Sequence, residues 1–181
     1  MSTTTKLITG EELLAMGDIG RCELIYGGVV KMSPSGFEHG EITNSIGTLL
    51  KNWNKQHKLG RVLGNDPGFR LERNPDLVRC PDVAFVEAQR VGDETPTGYF
   101  EGPPDLAVEV VSPTDSWADV ESKVEMWLAH GCQSCWVVDP KNRSISLYHK
   151  DGSVRKFHET QTLEDPLLPG FSTPVAAVFA R

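Results

Sequence analysis

The chain has 181 residues, of which 39% are hydrophobic and 24% charged, a size and balance typical of one globular domain and not of a disordered or fibrous protein. Its formal net charge of −7 argues against a broad cationic surface that would hold nucleic acid through phosphate contacts alone. The sequence has no apolar run near the roughly 18 residues that span a bilayer and no signal-peptide core. We therefore expect a single domain over residues 1–181, located in the cytoplasm and not in the membrane.

The first predicted elements are a β-hairpin and a long helix. Residues 22–33 contain two short apolar strands around Gly27-Gly28, a dipeptide typical of two-residue hairpin turns. After the turn residues 33–36, the stretch from Phe37 to His57 has apolar residues three and four positions apart, which is helical spacing. These apolar residues are Ile42, Ile46, Leu49, Leu50 and Trp53.

Short apolar runs at 61–63, 69–71, 82–86 and 106–111 follow, separated by turn residues, and they predict strands of one sheet. The run 106–111 is almost uninterrupted, as expected of a central strand covered on both faces. A second helix is predicted from about Trp117 to His130, and strands at 135–138 and 144–149 come after it. We therefore expect a mixed α/β (α+β) fold with a mixed central sheet flanked by helices, the strand–helix–strand segment forming a crossover unit.

The chemistry is expected where two carboxylates interrupt apolar strands. Asp82 opens one predicted strand and Glu109 is the one charged residue of run 106–111. An ionised carboxylate buried without a partner costs several kcal/mol, so such groups are normally paired, neutralised or bound to a metal. Lys123 borders the inward stripe of the second helix and is the natural cationic partner. Two acidic oxygen donors suit Mg²⁺, which takes few protein ligands.

Several segments of the sequence form a recognisable set of motifs. The central ones are Pro81-Asp82, the segment 102–113 (Gly-Pro-Pro-Asp-Leu-Ala-Val-Glu-Val-Val-Ser-Pro), Lys123, Gly131 and the segment 136–140, and further ones are the segments 23–28, 32–34, 38–39 and 168–171. Together they resemble the Uma-two family of restriction endonucleases, within the PD-(D/E)XK nuclease superfamily. The resemblance covers nearly the whole chain and implies a restriction endonuclease-like core that opens with an N-terminal hairpin.

By this resemblance, Asp82, Glu109 and Val110 would bind a Mg²⁺ ion, for which Mn²⁺ could substitute, and DNA would be the substrate. Val111 stands where the superfamily usually has its lysine, two residues after Glu109. In the Uma-like branch the following helix supplies that lysine, which implies Lys123. Glu23 and His39 match further family positions and would approach the metal. Restriction-like nucleases are commonly homodimers, because a two-fold protein can address both strands of a duplex.

The residues alone leave other interpretations open. Asp82 could be a strand-start cap, Glu109 and Lys123 could form a structural ion pair, and Lys123 could instead extend its stem to solvent. His39 could merely occupy the first helical turn, and Glu23 could be an exposed edge-strand charge. The chain would then be a non-catalytic interaction or regulatory module. A third possibility is a metal-dependent hydrolase of another phosphate ester.

Two further segments bear on function. The segment 87–104 is long and rich in turn residues, and we expect it to be a mobile loop that contacts substrate with nearby arginines (Arg61, Arg70, Arg73, Arg79 and Arg90). Cys132 and Cys135 have the spacing of a zinc knuckle, but no second ligand pair lies at a matching distance. We therefore expect reduced thiols and no structural zinc.

Overall fold

The computed structural model of the chain describes residues 6–180. Its helices are α1 (Gly10–Ala15), α2 (Phe37–His57), α3 (Ala88–Val91), α4 (Trp117–Ala129) and α5 (Val175–Val178). Its strands are β1 (Cys22–Ile25), β2 (Gly28–Lys31), β3 (Gly60–Gly64), β4 (Phe69–Glu72), β5 (Leu77–Arg79), β6 (Val83–Glu87), β7 (Phe100–Glu101), β8 (Leu106–Val110), β9 (Ser134–Asp139), β10 (Ser144–His149), β11 (Val154–His158), β12 (Thr162–Glu164) and β13 (Ser172–Pro174).

A six-stranded mixed sheet in the order β11-β10-β9-β8-β6-β3 forms the centre of the fold. Strands β8 and β9 are parallel, with α4 between them in the chain, whereas the other neighbouring pairs are antiparallel. The predicted crossover unit and the mixed α/β class are therefore confirmed. All five residues of β8 are buried, as its almost uninterrupted apolar sequence predicts.

The central sheet is covered by helices on both faces. On one face Ile42, Ile46 and Leu50 of α2 pack against Val83 and Val108 in one apolar cluster. On the other face, a second cluster joins three residues of α4 to the sheet, namely Val120, Val124 and Trp127. Alternate residues of each central strand enter the two clusters because strand side chains point to opposite faces. No helix within residues 6–180 has both the length and the hydropathy needed to cross a bilayer.

The predicted single sheet is wrong in one respect, because β4 lies in a second sheet. This five-stranded sheet has the order β2-β1-β5-β4-β7 and includes the N-terminal hairpin. The hairpin is confirmed, but its turn is at Tyr26-Gly27, one residue before the predicted Gly27-Gly28. Both turn residues have positive φ, 49° and 80°, as a two-residue turn matched to the twist of its strands requires.

The segment 87–104 is more ordered than a mobile loop, because it contains α3 and the strand β7, which pairs in parallel with β4. Its C-terminal end is fixed by Asp105, a buried residue. The Asp105 carboxylate accepts hydrogen bonds from the Glu87 backbone N–H and from Arg90, both at 2.8 Å. Residue 105 thus ties the end of the segment back to its beginning.

Candidate functional site

Asp82 and Glu109 lie side by side at one end of the central sheet. Strands β6 and β8 are antiparallel, and Val83 lies opposite Val108. Asp82 directly precedes β6, and its N–H donates to the Val108 carbonyl at 3.1 Å, which holds Asp82 beside the end of β8 that carries Glu109. Asp82 is 9% exposed and Glu109 7% exposed, so both carboxylates are largely desolvated.

The Glu109 carboxylate has a partner for each of its oxygens. The Trp127 indole N–H donates to Oε1 at 2.8 Å, and the Lys123 ammonium donates to Oε2 at 3.0 Å. Burial raises the pKa of Glu109 to about 6, and the nearby charge of Asp82 acts in the same direction, whereas Lys123 and Trp127 oppose the shift. Lys123 therefore supplies the compensating charge that a buried carboxylate requires.

The Asp82 carboxylate is held mainly through one oxygen. Its Oδ2 accepts the Val110 N–H at 2.7 Å and lies 3.3 Å from His39 Nε2. The pKa of His39 is raised, chiefly by its hydrogen bond to Asp82, against the opposing effect of burial. Within residues 6–180 Oδ1 makes no hydrogen bond, so this oxygen is available to a ligand.

The helices bring His39 and Lys123 to this position. His39 is in the first turn of α2, whose apolar face is fixed against the central sheet. α4 begins with a capping box, in which Ser116 and Asp119 satisfy each other's backbone N–H groups. Because Val120, Val124 and Trp127 are buried on one side of α4, Lys123 borders the buried stripe and its side chain remains 31% exposed. The structure thus brings together Asp82, Glu109, Lys123 and His39.

Val110 and Glu23 occupy different positions from these four residues. The Val110 side chain is buried in the core, so only its backbone can contribute to the site. Glu23 is also buried, but it accepts the Cys80 N–H at 2.9 Å and pairs with Arg79 at 3.0 Å. In the described contacts, Glu23 fastens β1 to the segment that leads into Asp82, and it touches none of the other predicted site residues.

Asp82 opens into a cleft of about 400 Å³, which we call the central cleft. One wall contains Arg21, residues 32–35 and His39, and the other contains Asp82, Val110, Ser112, Thr114, Asp115 and Lys123. Arg21 crosses the entrance, donating to Ser35 Oγ at 2.5 Å and to Asp66 Oδ1 at 2.6 Å. The central cleft is therefore lined by the cations Arg21 and Lys123 and by the carboxylates of Asp82 and Asp115, and Glu109 adjoins it through its ion pair with Lys123.

Sequence reasoning missed two residues of this site. In the sequence, Trp127 belongs to the apolar stripe of the second helix. Its position one turn after Lys123 is the signal that could have indicated a contact with Glu109. Arg21 precedes the hairpin with no pattern of its own. The five arginines predicted to contact substrate all have partners within the described residues: Arg61 donates to Thr95, and the other four form ion pairs.

The donor set fits a hard divalent cation that keeps most of its water. Within residues 6–180, no group of three or more His, Cys, Asp or Glu side chains forms a metal-binding cluster. Asp82 and Glu109 could supply two carboxylates, and Mg²⁺ is commonly bound by one or two carboxylates plus water and substrate phosphates. Ca²⁺, which takes six to eight oxygens, and zinc, which takes three or four side chains, fit this site less well.

The cysteine pair of the sequence is buried away from solvent. Cys132 and Cys135 are each 0% exposed, and the Cys132 thiol donates to the carbonyls of Asp105 and Ser134. Burial raises the pKa of Cys132 to about 12 and that of Cys135 well above its usual value. Metal binding requires the thiolate, so this environment disfavours zinc.

We predict that Cys132 and Cys135 resist iodoacetamide in the native protein at pH 8. With a pKa near 12, only about one Cys132 thiol in ten thousand is ionised at that pH, and burial blocks the reagent as well. Peptide mass spectrometry after native and urea-unfolded labelling measures this, with the partly exposed Cys22 as the internal control. Rapid native labelling of either thiol contradicts the observed burial of Cys132 and Cys135.

Comparisons with known proteins agree with this architecture. Residues 11–176 match the model of the Uma2 family, described as "Putative restriction endonuclease". Among solved structures, the chain is similar to a protein described as a "putative nuclease belonging to DUF820" from Anabaena variabilis, with 20% identity and a TM-score of 0.81. That alignment covers 95% of this chain and 97% of the other, and at this identity it shows a shared fold. No curated protein sequence matches the chain. Because the family model spans most of the sequence, the chain belongs to the Uma2 family.

Proposed function

We propose that the protein is a divalent-metal-dependent nuclease that hydrolyses phosphodiester bonds in DNA, with Mg²⁺ as its ion and Mn²⁺ as a substitute. The observation that carries the proposal is that Asp82 and Glu109 are both buried and close enough for the charge of Asp82 to raise the pKa of Glu109, with the Lys123 ammonium 3.0 Å from Glu109. Membership of a family described as restriction endonucleases and the shared fold support nuclease activity. A homodimer, expected from the need to address two strands, is part of the same proposal.

The metal would be held by Asp82, by Glu109 and by the backbone of Val110. Asp82 offers its unbonded Oδ1, and the Trp127 N–H fixes the orientation of the Glu109 carboxylate, as outer contacts commonly do for metal ligands. A bound ion would supply charge stabilisation at a phosphoryl oxygen and a water of lowered pKa. The walls of the central cleft leave room for both the phosphate and that water.

The other residues act by charge and position. Lys123 has 31% of its side chain exposed toward solvent, so its ammonium can orient the attacking water or stabilise charge developing on a phosphate oxygen. His39 and the Val110 N–H hold Asp82 Oδ2, which leaves Oδ1 directed to a ligand. Glu23 acts indirectly, because it binds residues 79–80 and so positions the segment just before Asp82.

Calorimetric titration with Mg²⁺ and Mn²⁺ tests the metal site directly. The wild-type chain should bind each ion, and the Asp82→Asn variant should lose about 10-fold or more in affinity because one of the two charged donors becomes neutral. The amide oxygen can still accept the Val110 N–H, so the fold should persist. Equal affinities for the two proteins, or no binding by either, exclude the proposed metal site.

The Glu109–Lys123 ion pair also favours a second candidate function, a non-catalytic interaction module. In that case the pair is purely structural, since each charge already has a partner at 3.0 Å. Absence of metal binding together with a stable fold supports this candidate. A third candidate, hydrolysis of another phosphate ester, is separated by assaying DNA beside simple phosphomonoesters and phosphodiesters with both ions.

A further inference from the structure

A second cleft extends from the candidate site along α2. It has a volume of about 370 Å³ and lies between α2 and the segment 62–66, which includes most of β3. It shares Ser35, His39 and Asp82 with the central cleft, so the two clefts adjoin at these residues. We call it the α2 groove and define it by six residues of that helix: Gly40, Thr43, Asn44, Gly47, Thr48 and Lys51.

The α2 groove has the dimensions of a path for a chain-like ligand. From His39 to Lys51 the helix advances about 18 Å, at 1.5 Å per residue. That length corresponds to about five nucleotide steps of a B-form strand, at 3.4 Å each. One end of the path is at Asp82, and the other is at the ammonium group of Lys51.

The donors along the α2 groove are suited to a sugar–phosphate backbone. Within residues 6–180 the side chains of Asn44, Thr48 and Lys51 form no hydrogen bond or ion pair, so their polar atoms are available. Amide, hydroxyl and ammonium groups are the usual side-chain contacts to phosphate and sugar oxygens. Asp66, the one carboxylate at the far wall, is already paired with Arg21 at 2.6 Å, which limits its repulsion of an anionic ligand.

Two glycines of α2 widen the α2 groove, although close packing does not require glycine at either position. Glycine within a helix is destabilising relative to alanine, and Gly40 and Gly47 both lie inside α2. A Cβ atom at Gly47 would meet only Val83, at 4.0 Å, and one at Gly40 would meet nothing within 4 Å. Side chains at these positions would occupy the groove, so the glycines preserve space that no part of the described chain fills.

We propose that the α2 groove binds the nucleic-acid strand on one side of the scissile phosphodiester, with Lys51 contacting a backbone phosphate. This inference rests on the proposed nuclease function and adds the route of the substrate. It also explains how a chain of net charge −7 could bind a polyanion, because the amide, hydroxyl and ammonium donors lie together along the α2 groove. Contacts of this kind position the backbone and do not read sequence.

Fluorescence anisotropy with a short labelled DNA, single-stranded or annealed, tests the proposal in EDTA, where no metal-dependent cleavage occurs. Lys51→Gln should weaken binding about 3- to 10-fold, uniformly across sequences, and reduce the slope of log K against log salt by about one. Lys55→Gln is the matched control, since it removes the same charge from the same helix outside the α2 groove. It should leave both quantities nearly unchanged.

A second variant separates the effect of filling the α2 groove from the effect of removing the Lys51 charge. Gly47→Leu should weaken DNA binding at least as much as Lys51→Gln while its Tm stays equal to or above that of the wild type, because leucine favours the helix. Equal binding by Lys51→Gln and Lys55→Gln, or unimpaired binding by Gly47→Leu, overturns the proposed route. If these binding effects occur but Mg²⁺ supports no cleavage, the nuclease proposal fails and the α2 groove remains a nucleic-acid site.

Discussion

Glu109→Gln is expected to reduce metal-dependent DNA cleavage by at least about a thousandfold. A catalytic ion contributes several kcal/mol to transition-state stabilisation, and each 1.4 kcal/mol corresponds to a factor of ten in rate. The substitution removes one of the two carboxylates proposed to hold the ion but keeps an oxygen that can accept the Trp127 N–H. Single-turnover cleavage of labelled DNA at saturating Mg²⁺ measures the loss.

The fold should survive this change, because a buried amide has a smaller desolvation cost than a buried carboxylate. The unfolding midpoint in urea checks that expectation. Glu125→Gln is the matched control, since it makes the same change at an exposed position of α4 and should retain full activity. Cleavage by Glu109→Gln at the rate of Glu125→Gln would remove Glu109 from the proposed mechanism.

The largest loss of stability is expected from Arg70→Ala. Arg70 has no part in the proposed metal site. The Arg70 side chain is only 6% exposed and contacts Asp76 at 3.2 Å and Glu11 at 2.6 Å. Asp76 is itself buried and caps α1 by accepting the Gly10 N–H at 2.8 Å. Removing the guanidinium leaves a buried carboxylate without its cation, which costs about 3–5 kcal/mol.

Urea unfolding of Arg70→Ala and Arg73→Ala provides a matched comparison. Arg70 also contacts Glu101, at 2.9 Å, and Arg73 contacts the same two exposed carboxylates, Glu11 and Glu101, but its side chain is 51% exposed. Exposed ion pairs contribute between 0 and about 1 kcal/mol, so Arg73→Ala should have little effect. Similar losses for both variants would mean that the burial of Asp76 is not what makes Arg70 important.

Local patterns predicted the long elements closely. The helical period of 37–57 defines α2 with the observed bounds, since 21 residues repeat one apolar stripe. The apolar run that became β8 likewise identified the central strand. The hairpin turn shifted by one residue, because the register of the strands determines which dipeptide turns, and Tyr26 adopts positive φ although glycine is usual there.

Non-local pairing limited the rest of the prediction. Nothing in the apolar run 69–71 distinguishes a strand of the central sheet from one of the second sheet, because the choice depends on partners far along the chain. The arginines 70, 79 and 90 were predicted to contact substrate, and nothing in the sequence indicated the carboxylate partner that folding brings close to each of them. Asp82, Glu109 and Lys123 were identifiable because a charge in an apolar pattern needs a partner.

The placement of Lys123 on α4 has a consequence for how the site forms. The carboxylates come from two strands that pair with each other, whereas the amine comes from a separate element that must dock on the sheet. Partial unfolding that released α4 would leave two like charges adjacent with no cation between them, so the strand ends would repel each other. Assembly of the site is therefore coupled to the docking of this helix, and local opening there would disrupt the proposed metal site while the sheet itself persists.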